Sequence, residues 1–580
     1  MRRRDVLHVF TAAALVGVVP RSLTRAAEVD DLYDIGRFGN ARVLHMTDTH
    51  AQLTPVHFRE PSVNIGISTM TGRPPHVVGE AFLKHFGIAP NTRAAHAFTC
   101  LDYTDAAHKF GRLGGFAHLK TLIDRLRAET PGAILLDGGD LWQGSGLADA
   151  LYGSDMVEAA NLLGIEAMAS HWEFTYGEDR LRENLKNFKG EFLAQNVYLT
   201  EEAAFNDKPA FDAASGRVFK PATVREADGY RIGIIGQAFP YVPVAHPKRF
   251  TPDWTFGIRD AEMQKLVDDL RQKDKVDAVL LLSHNGMDVD LKLASRVSGI
   301  DVILGGHTHD AVPELLTIMN PGGKTLVTNA GSSGKFLGVL DLELGKGAVK
   351  NVRYRLLPVC SGLLAPDTAM QALIDRLRQP YAQKFDEKLA VAGDLLYRRG
   401  NFNGPMDQLL CDCLREELDA ELALSPGFRW GNTLLPGDPI TMEDILSETA
   451  MTYPQVYVQE MTGAQIKGVM EDICDNLFNP DPYYQQGGDM VRIGGMDYAC
   501  APNQSIGKRI SEMTLDGGKP LEPNKTYKVA GWASVNPQEG KPVSDVFAAW
   551  LRKQKTVRPR RLNRVALKGL GNNPGIADFG

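Results

Sequence analysis

Long hydrophobic runs are missing from this chain of 580 residues once its first thirty residues are set aside. A membrane-spanning helix needs about 20 consecutive apolar residues, and no later stretch approaches that length. A surplus of positive charge is missing as well, because 71 Asp and Glu outnumber 64 Lys and Arg and leave a net charge of −7. Nucleic acid is therefore excluded as the main partner, since binding its phosphates needs a basic surface. The sequence predicts a globular protein with no membrane anchor.

Cysteine is scarce too, with six residues in the whole chain. None of them has the paired spacing of a zinc site, and Cys411 with Cys413 forms only a C-x-C motif. The six residues allow many disulfide pairings, and the sequence selects none of them.

The first segment of the chain, residues 1–27, reads as an export signal. Arginines precede a short apolar stretch, and the small residues Ala26 and Ala27 follow it. The segment RRDVLH approximates the twin-arginine pattern, which a receptor reads as an address. A general secretory signal with an extra arginine is the alternative. Either signal predicts a periplasmic location. A lipid anchor is not expected, because no cysteine lies near the cleavage site.

The length of the chain exceeds what one hydrophobic core supports, so we expect at least two domains. Over residues 38–365, short β-rich runs alternate with helical stretches, which predicts a layered α/β domain. Residues 366–390 have helical periodicity and form a predicted linker helix. Residues 391–567 change to short strands, many turns and glycine-rich motifs, which indicates a second, α+β domain. We expect a loose tail after it.

A long segment, residues 51–110, interrupts the strand–helix alternation and is rich in Pro, Gly, Thr and His. Loops of this length are usually functional or disordered. The segment directly follows the strand that ends at Asp48 and His50, so we expect it to overhang the active site. Its histidines are expected to be solvated or hydrogen-bonded loop residues and not metal ligands. They are His57, His76, His85, His96 and His108.

Four short segments, far apart in sequence, each end an apolar run with side chains that bind metal ions. They are RVLHMTDTHAQL with Asp48 and His50, AILLDGGDLWQGSG with Asp140, DAVLLLSHNGMD with His284, and DVILGGHTHD with His307 and His309. Side chains two positions apart on an extended segment face the same way, so D-x-H and H-x-H each present two ligands together. Chemistry in α/β domains lies where strands end. A fifth segment, MASHWEFTYG, adds His171.

The set comprises two carboxylates and five histidines. That number of ligands is enough for two metal ions, with the Asp140 carboxylate shared between them. Oxygen and imidazole ligands suit manganese, so we predict two Mn²⁺ ions, while iron, zinc or another divalent metal stays open.

These segments resemble the calcineurin-type metallophosphoesterase superfamily, and the two-domain layout resembles its 5′-nucleotidase branch. The resemblance covers nearly all of the chain after the signal. It implies an α/β fold with an N-terminal four-layer α/β/β/α domain, a linker helix and a C-terminal α+β substrate-binding domain. One metal ion would be held by Asp48, His50, Asp140 and His309. The second would be held by Asp140, His171, His284 and His307.

One segment departs from the nucleotidase pattern G-N-H-E-F-D-Y-G. Aligned with that pattern, this chain places His171 where an asparagine ligand is expected and Trp172 where the catalytic histidine is expected. A phosphomonoesterase that loses its general acid is expected to lose about 10²–10⁴-fold in rate, which favours a different reaction. The segment SHWEFTYG, with the histidine-containing insertion and the export signal, resembles the SoxB family of thiosulfohydrolases.

Resemblance to that family implies a dimanganese hydrolase, an S-sulfosulfanyl-L-cysteine sulfohydrolase. Its substrate would be a cysteine S-thiosulfonate, Cys–S–S–SO3⁻, on the sulfur carrier protein SoxYZ, and its products sulfate and a cysteine persulfide. A metal-bridging hydroxide held by Asp140 would attack the terminal sulfur, with Trp172 and Arg429 as the other catalytic-site residues. A persulfide leaving group is far less basic than an alkoxide, so it needs little protonation. Trp172 would instead wall the channel or pack against the carrier.

Four residues beyond the metal ligands are predicted to contact the substrate: Arg112, Arg429, Gly488 and Asp489. Arg429, in SPGFRWGN, occupies a place where nucleotidases keep substrate-contacting residues, and arginine suits a sulfonate or phosphate. The segment QQGGDM matches the loop that helps to form the nucleoside pocket of nucleotidases. Arg112 opens the first long helix and could face the site. A surface position is the alternative for both arginines.

Two other functions stay open from the sequence. A periplasmic 5′-nucleotidase or 2′,3′-cyclic phosphodiesterase would carry Trp172 as a tolerated substitution. A metal-dependent docking module without catalysis would keep only the fold. Retention of all seven ligands argues against the docking module, because a binding protein has no need of two open metal positions.

Overall fold

The computed structural model describes residues 32–398 and 400–577. The predicted export signal, residues 1–27, lies outside the described residues. None of the described helices is both long and apolar enough to cross a membrane.

The N-terminal domain is built on two six-stranded sheets that pack face to face. In order across the first sheet, the strands are Ala348–Pro358, Phe336–Gly345, Ala41–Met46, Ile134–Asp137, Ala167–Met168 and Glu191–Phe192. In the second sheet they are Leu316–Asn320, Gly323–Asn329, Val302–Gly305, Ala278–Ser283, Tyr230–Gln237 and Ala222–Ala227. Between the sheets lies an apolar core with residues from both, among them Val43, Leu136, Leu280 and Leu304.

Helices cover the outer faces of both sheets, which confirms the predicted four-layer α/β/β/α fold. The helix Phe116–Glu129 shows how the sequence specifies this packing, because Leu119, Leu122, Ile123 and Leu126 recur at helical spacing and are buried against the first sheet. The other helices of the domain are Gly79–Phe86, Arg93–Phe98, Tyr103–Phe110, Gly146–Leu151, Ser154–Leu163, Gly177–Asn187, Glu201–Phe205, Val242–Ala245, Asp260–Gln272 and Met287–Arg296.

The predicted linker helix, residues 366–390, is shorter than expected. Its regular part is Thr368–Arg378, which begins where the Asp367 side chain accepts a hydrogen bond from the Met370 N–H at 2.8 Å. A 3₁₀ turn with Pro380 follows, because proline cannot donate to a continuing helix. After a further short helix, Ala382–Phe385, the strand Lys388–Ala392 already belongs to the C-terminal domain.

The C-terminal domain mixes three small sheets with helices, as predicted for an α+β domain. Its strands are Lys388–Ala392, Leu422–Ser425, Pro439–Thr441, Val456–Thr462, Arg492–Gly494, Met496–Cys500, Ile510–Leu515, Thr526–Trp532, Thr556–Val557 and Val565–Leu567. Its helices are Pro405–Glu417, Met442–Glu448, Gly463–Phe478 and Val543–Arg552.

The insertion and the tail are both ordered by contacts that the sequence did not reveal. Residues 51–110 contain three helices, and their extended part pairs with the C-terminal domain through the Ile65 N–H and the Asn401 side chain at 2.8 Å. As far as residue 577, the tail is not loose, because the Asn64 N–H donates to the Gly575 carbonyl at 2.8 Å and Ile576 packs near Val63. The insertion therefore joins the two domains.

Asp155, in the helix Ser154–Leu163, provides a prediction about stability. Burial raises the pKa of Asp155 to about 7, whereas an exposed aspartate has a pKa of about 3.9. Between those pH values the folded carboxyl keeps a proton that the unfolded chain has lost, so this group makes the free energy of unfolding fall as pH rises from about 4 to about 7. Asp155→Asn should lose that contribution. Denaturant unfolding across this range tests it, and identical pH dependence in both proteins would contradict it.

Candidate metal centre

The ligand segments follow strands whose carboxyl ends meet at one edge of the paired sheets. Three parallel strands of the first sheet lead to Asp48, Asp140 and His171. Two parallel strands of the second sheet lead to His284 and to the H-x-H segment. Because parallel strands end at the same edge, residues more than 250 positions apart come together here.

The seven predicted ligands form two groups that share Asp140. All seven are buried, and within each group the ligand atoms lie within 4.8 Å of one another. The first group is Asp48, His50, Asp140 and His309. The second is Asp140, His171, His284 and His307. These are the two sets that the family resemblance implies. No histidine of the insertion joins either group within residues 32–398 and 400–577.

Backbone conformation marks the site as well. Five of the ligands have left-handed φ angles, which cost a non-glycine residue roughly 1–3 kcal/mol each and persist where the surroundings impose them. They are Asp48 at 50°, His50 at 47°, Asp140 at 57°, His307 at 74° and His309 at 59°. The turns after the strands thus direct these Asp and His side chains into the same small volume.

Backbone carbonyls orient three of the ligand rings. Each carbonyl accepts the N–H of one ring nitrogen, so the other nitrogen faces the site, where it can bind a metal ion once it carries no proton. The pairs are His50 Nδ1 with Gln143 O at 3.1 Å, His284 Nδ1 with Gly138 O at 2.6 Å, and His307 Nε2 with Gln486 O at 3.1 Å.

The donor set fits two divalent cations. His307 Nδ1 and His171 Nε2 are buried and make no hydrogen bond to the described residues, while His284 Nε2 and His171 Nδ1 lie 3.1 Å and 3.4 Å from the Asp140 carboxylate. Native proteins rarely leave buried polar atoms unsatisfied. His50 Nε2 and His309 Nε2 face each other at 3.0 Å. Imidazole nitrogens and carboxylates converging on one small volume are ligands that such ions bind.

The charges of the site are strongly coupled. Burial alone would raise the pKa of Asp140, but the neighbouring His284 and His171 outweigh burial and hold that pKa well below its usual range. Burial disfavours the charged form of His284, yet Asp140 and Asp48 raise the pKa of His284 to about 10. Burial lowers the pKa of His50 to about 4. A cation bound through His284 must displace its proton, so metal binding releases protons here.

Glu173 organises the loops that carry the ligands, and the sequence interpretation missed it. Its Oε1 accepts the N–H groups of Leu141 at 2.7 Å and Trp142 at 3.2 Å, and its Oε2 accepts the His171 N–H at 2.8 Å. The Glu173 side chain is fully buried. Its position inside EFTYG, beside the ligand, was the available signal.

An open cavity of about 380 Å³ leads to the metal groups. Trp172 lines it and is 8% exposed, with its ring centroid 5.0 Å from that of Trp430 and 4.4 Å from that of His246. The remaining aromatic wall consists of Phe239, Tyr241, Phe428 and Tyr453. Trp172 therefore forms a wall of the cavity. His246, buried behind Trp172, has no sequence motif that would have indicated it.

Three of the four predicted substrate residues line this cavity, namely Arg429, Gly488 and Asp489. Arg429 is not a surface arginine, because it is 9% exposed and donates to Asp489 Oδ1 at 3.1 Å and to the Gly488 carbonyl at 2.5 Å.

The structure does not bring Arg112 to the cavity, and its side chain is exposed. The buried neighbour Leu113 pairs with the backbone of Val56 and Cys360, and adjacent residues of an extended chain face opposite sides. The prediction that Arg112 faces the site is therefore wrong.

Comparison with known proteins agrees with this architecture. The family model for calcineurin-like phosphoesterases matches residues 41–311, and that for the 5′-nucleotidase C-terminal domain matches residues 395–541. The solved structure of the sulfate thiohydrolase SoxB from Thermus thermophilus, in complex with glycerol, is 36% identical, covers 94% of this chain and 99% of that chain, and superposes with a TM-score of 0.87. The chain belongs to the 5′-nucleotidase branch of the calcineurin-like phosphoesterases.

Other members of this branch are more distant. The trifunctional nucleotide phosphoesterase YfkN of Bacillus subtilis is 28% identical over 74% of this chain. The aligned region spans only 31% of the length of YfkN. The 5′-nucleotidase of Rattus norvegicus is 28% identical over 72% of this chain and 76% of its own length. Family membership and the two ligand groups together identify the chain as a metal-dependent hydrolase.

Proposed function

We propose that this chain is a thiosulfohydrolase that hydrolyses the terminal sulfonate of a carrier-bound cysteine S-thiosulfonate. Sulfate leaves, and a cysteine persulfide remains on the carrier. The observation that carries the proposal is Trp172 in the cavity wall, beside the second metal group, where the nucleotidase pattern has its catalytic histidine. The similarity to the Thermus sulfate thiohydrolase supports it.

The residues suit a reaction whose leaving group needs little help. Two divalent cations, Mn²⁺ in our proposal, would supply an acidified water as nucleophile and positive charge for the sulfonate oxygens. Asp140 belongs to both groups. Its Oδ1 accepts the Trp172 N–H at 2.8 Å, which fixes the carboxylate. The indole of Trp172 cannot serve as a general acid, and a persulfide leaving group does not require one.

Arg429 provides a place for the anionic end of the substrate. Its guanidinium is held by Asp489 and by two backbone carbonyls, and the remaining N–H groups are available to a sulfonate at the cavity wall. Because the guanidinium is fixed before the substrate arrives, binding an anion loses little side-chain entropy.

We further propose that the substrate is presented by the sulfur carrier SoxYZ in the periplasm. The export signal predicted over residues 1–27 supports this location. The residues that line the cavity include Val244 and Val535, which are 55% and 44% exposed. These two side chains give a carrier segment an apolar contact.

The test compares two substrates with the metal-loaded protein. One is a peptide whose cysteine carries the S-thiosulfonate, assayed by sulfate release, and the other is AMP, assayed by phosphate release. We expect kcat/KM for the peptide to exceed that for AMP by at least about 100-fold, since AMP hydrolysis lacks its general acid. Rapid phosphate release without sulfate would instead identify a 5′-nucleotidase, the function of the Rattus relative. Tight carrier binding with turnover of neither substrate would indicate a docking module.

A further inference from the structure

Residues of the C-terminal domain contact the metal-binding segment of the catalytic domain. Residues 486–489 form a loop of the C-terminal domain that lies against the H-x-H segment, residues 307–309. We call residues 486–489 the clamp loop. Two contacts join the clamp loop, and Arg429 anchored on it, to the segment of the metal-binding histidines.

The first contact fixes the ring of His307. The Gln486 carbonyl lies 3.1 Å from His307 Nε2, so it accepts the proton of that nitrogen and leaves the buried Nδ1 for a metal ion. Gly487 packs against the same ring so closely that a Cβ atom there would lie 2.3 Å from His307 Nε2. The approach of the backbone therefore requires glycine.

The second contact holds the backbone between two ligands. An Arg429 Nη1 hydrogen bonds to the carbonyl of Thr308 at 3.0 Å. Asp489 anchors Arg429 at 3.1 Å and is itself bound by the fully buried Arg492 at 2.9 Å. The Arg429 guanidinium thus ties the H-x-H segment to the C-terminal domain, so the position of this segment depends on that domain.

The other two oriented rings obtain their partners differently. His50 and His284 donate to the carbonyls of Gln143 and Gly138, which both belong to the catalytic domain. Among the three ring–carbonyl pairs described above, that of His307 alone crosses between domains. The two metal groups consequently differ in how far they depend on the C-terminal domain.

We propose that the clamp loop is a positioning element for the second metal group, that of Asp140, His171, His284 and His307. The ion in this group depends on the Gln486 carbonyl that orients the His307 ring, whereas the first group meets the C-terminal domain only through the backbone of Thr308, next to His309. Losing an outer partner of a metal-ligating histidine typically weakens metal binding about 10–100-fold. By linkage, the second ion stabilises the domain contact by the same factor.

Two glycines of the C-terminal domain offer a matched test. Gly487 and Gly518 have φ angles of +75° and +78°, so an alanine strains the backbone similarly at either position. Only Gly487 meets His307, because a Cβ on Gly518 would have no atom within 4 Å. We expect Gly487→Ala to bind one Mn²⁺ with the parent affinity and the second about 10–100-fold more weakly. Gly518→Ala should bind both ions like the parent.

The measurement is an equilibrium titration of the metal-free full chain with Mn²⁺, with metal stoichiometry determined after dialysis and folding checked by circular dichroism. Asp489→Asn loosens Arg429 without touching His307. Because Thr308 lies between His307 of the second group and His309 of the first, this variant should weaken the binding of both ions, so the proposal does not depend on one variant. Parent-like binding of two ions by Gly487→Ala and Asp489→Asn would overturn it. Equal weakening in Gly487→Ala and Gly518→Ala would also overturn it, by assigning the effect to backbone strain. No substrate is needed, so the result is independent of the proposed reaction.

Discussion

Trp172→His should raise the rate of AMP hydrolysis by about 10²–10⁴-fold over the parent chain, the usual contribution of a positioned general acid. The Trp172 side chain lines the cavity, and its backbone N–H is fixed to Asp140. A histidine at this position would therefore start from the same anchored backbone and could protonate an alkoxide leaving group. Phosphate release from AMP, measured under metal saturation, tests the prediction.

The matched control is Trp172→Phe, which keeps an aromatic wall but cannot donate a proton. This variant should hydrolyse AMP no faster than the parent chain. It should still release sulfate from the thiosulfonate peptide. If Trp172→Phe and Trp172→His accelerate AMP hydrolysis equally, the indole only obstructs the substrate. The absence of a general acid would then not explain slow AMP hydrolysis by the parent chain.

Asp140→Asn is the second substitution with a large expected effect. The carboxylate belongs to both metal groups, and a neutral amide is a poorer ligand that leaves both ions weakly held. We expect the variant to retain less than one Mn²⁺ per chain. Sulfate release should fall by more than the roughly 100-fold that accompanies loss of a mere outer partner. Metal analysis and the sulfate assay on the same preparation measure both effects.

Asp155→Asn is the control for this substitution, because it is the same chemical change at a buried carboxylate outside both metal groups. It should retain two ions and full turnover. An Asp140→Asn protein that kept two tightly bound ions would contradict the shared role of Asp140, whatever its activity.

The sequence indicated the candidate metal ligands because their signals are local. Asp48, Asp140 and His284 each follow an apolar strand within a few residues, and parallel strands bring such ends together without further information. The two face-to-face sheets followed from the same alternation once the family resemblance was recognised. Strand ends therefore indicated the layered α/β domain and the seven candidate ligands, and the family resemblance supplied the arrangement of the two sheets.

Contacts between distant segments could not be predicted in this way. His307 and Gln486 are separated by 179 positions and belong to different domains, and a backbone carbonyl leaves no trace in the residue type. The ordered tail is similar, since Gly575 pairs with Asn64 through backbone atoms alone. The prediction for Arg112 was wrong for a related reason. Its place before the first long helix suggested that its side chain faces the site, but the backbone pairing of Leu113 with Val56 and Cys360 turns the Arg112 side chain to the opposite side.

The most direct test of the account is hydrolysis of the cysteine S-thiosulfonate peptide in oxygen-18-labelled water, followed by mass spectrometry of both products. Attack on the terminal sulfur predicts sulfate that carries one heavy oxygen and a peptide that keeps one additional sulfur atom as a persulfide. Both products should be missing with Asp140→Asn. Sulfite, unlabelled sulfate or an unchanged peptide alongside rapid phosphate release from AMP would contradict the account.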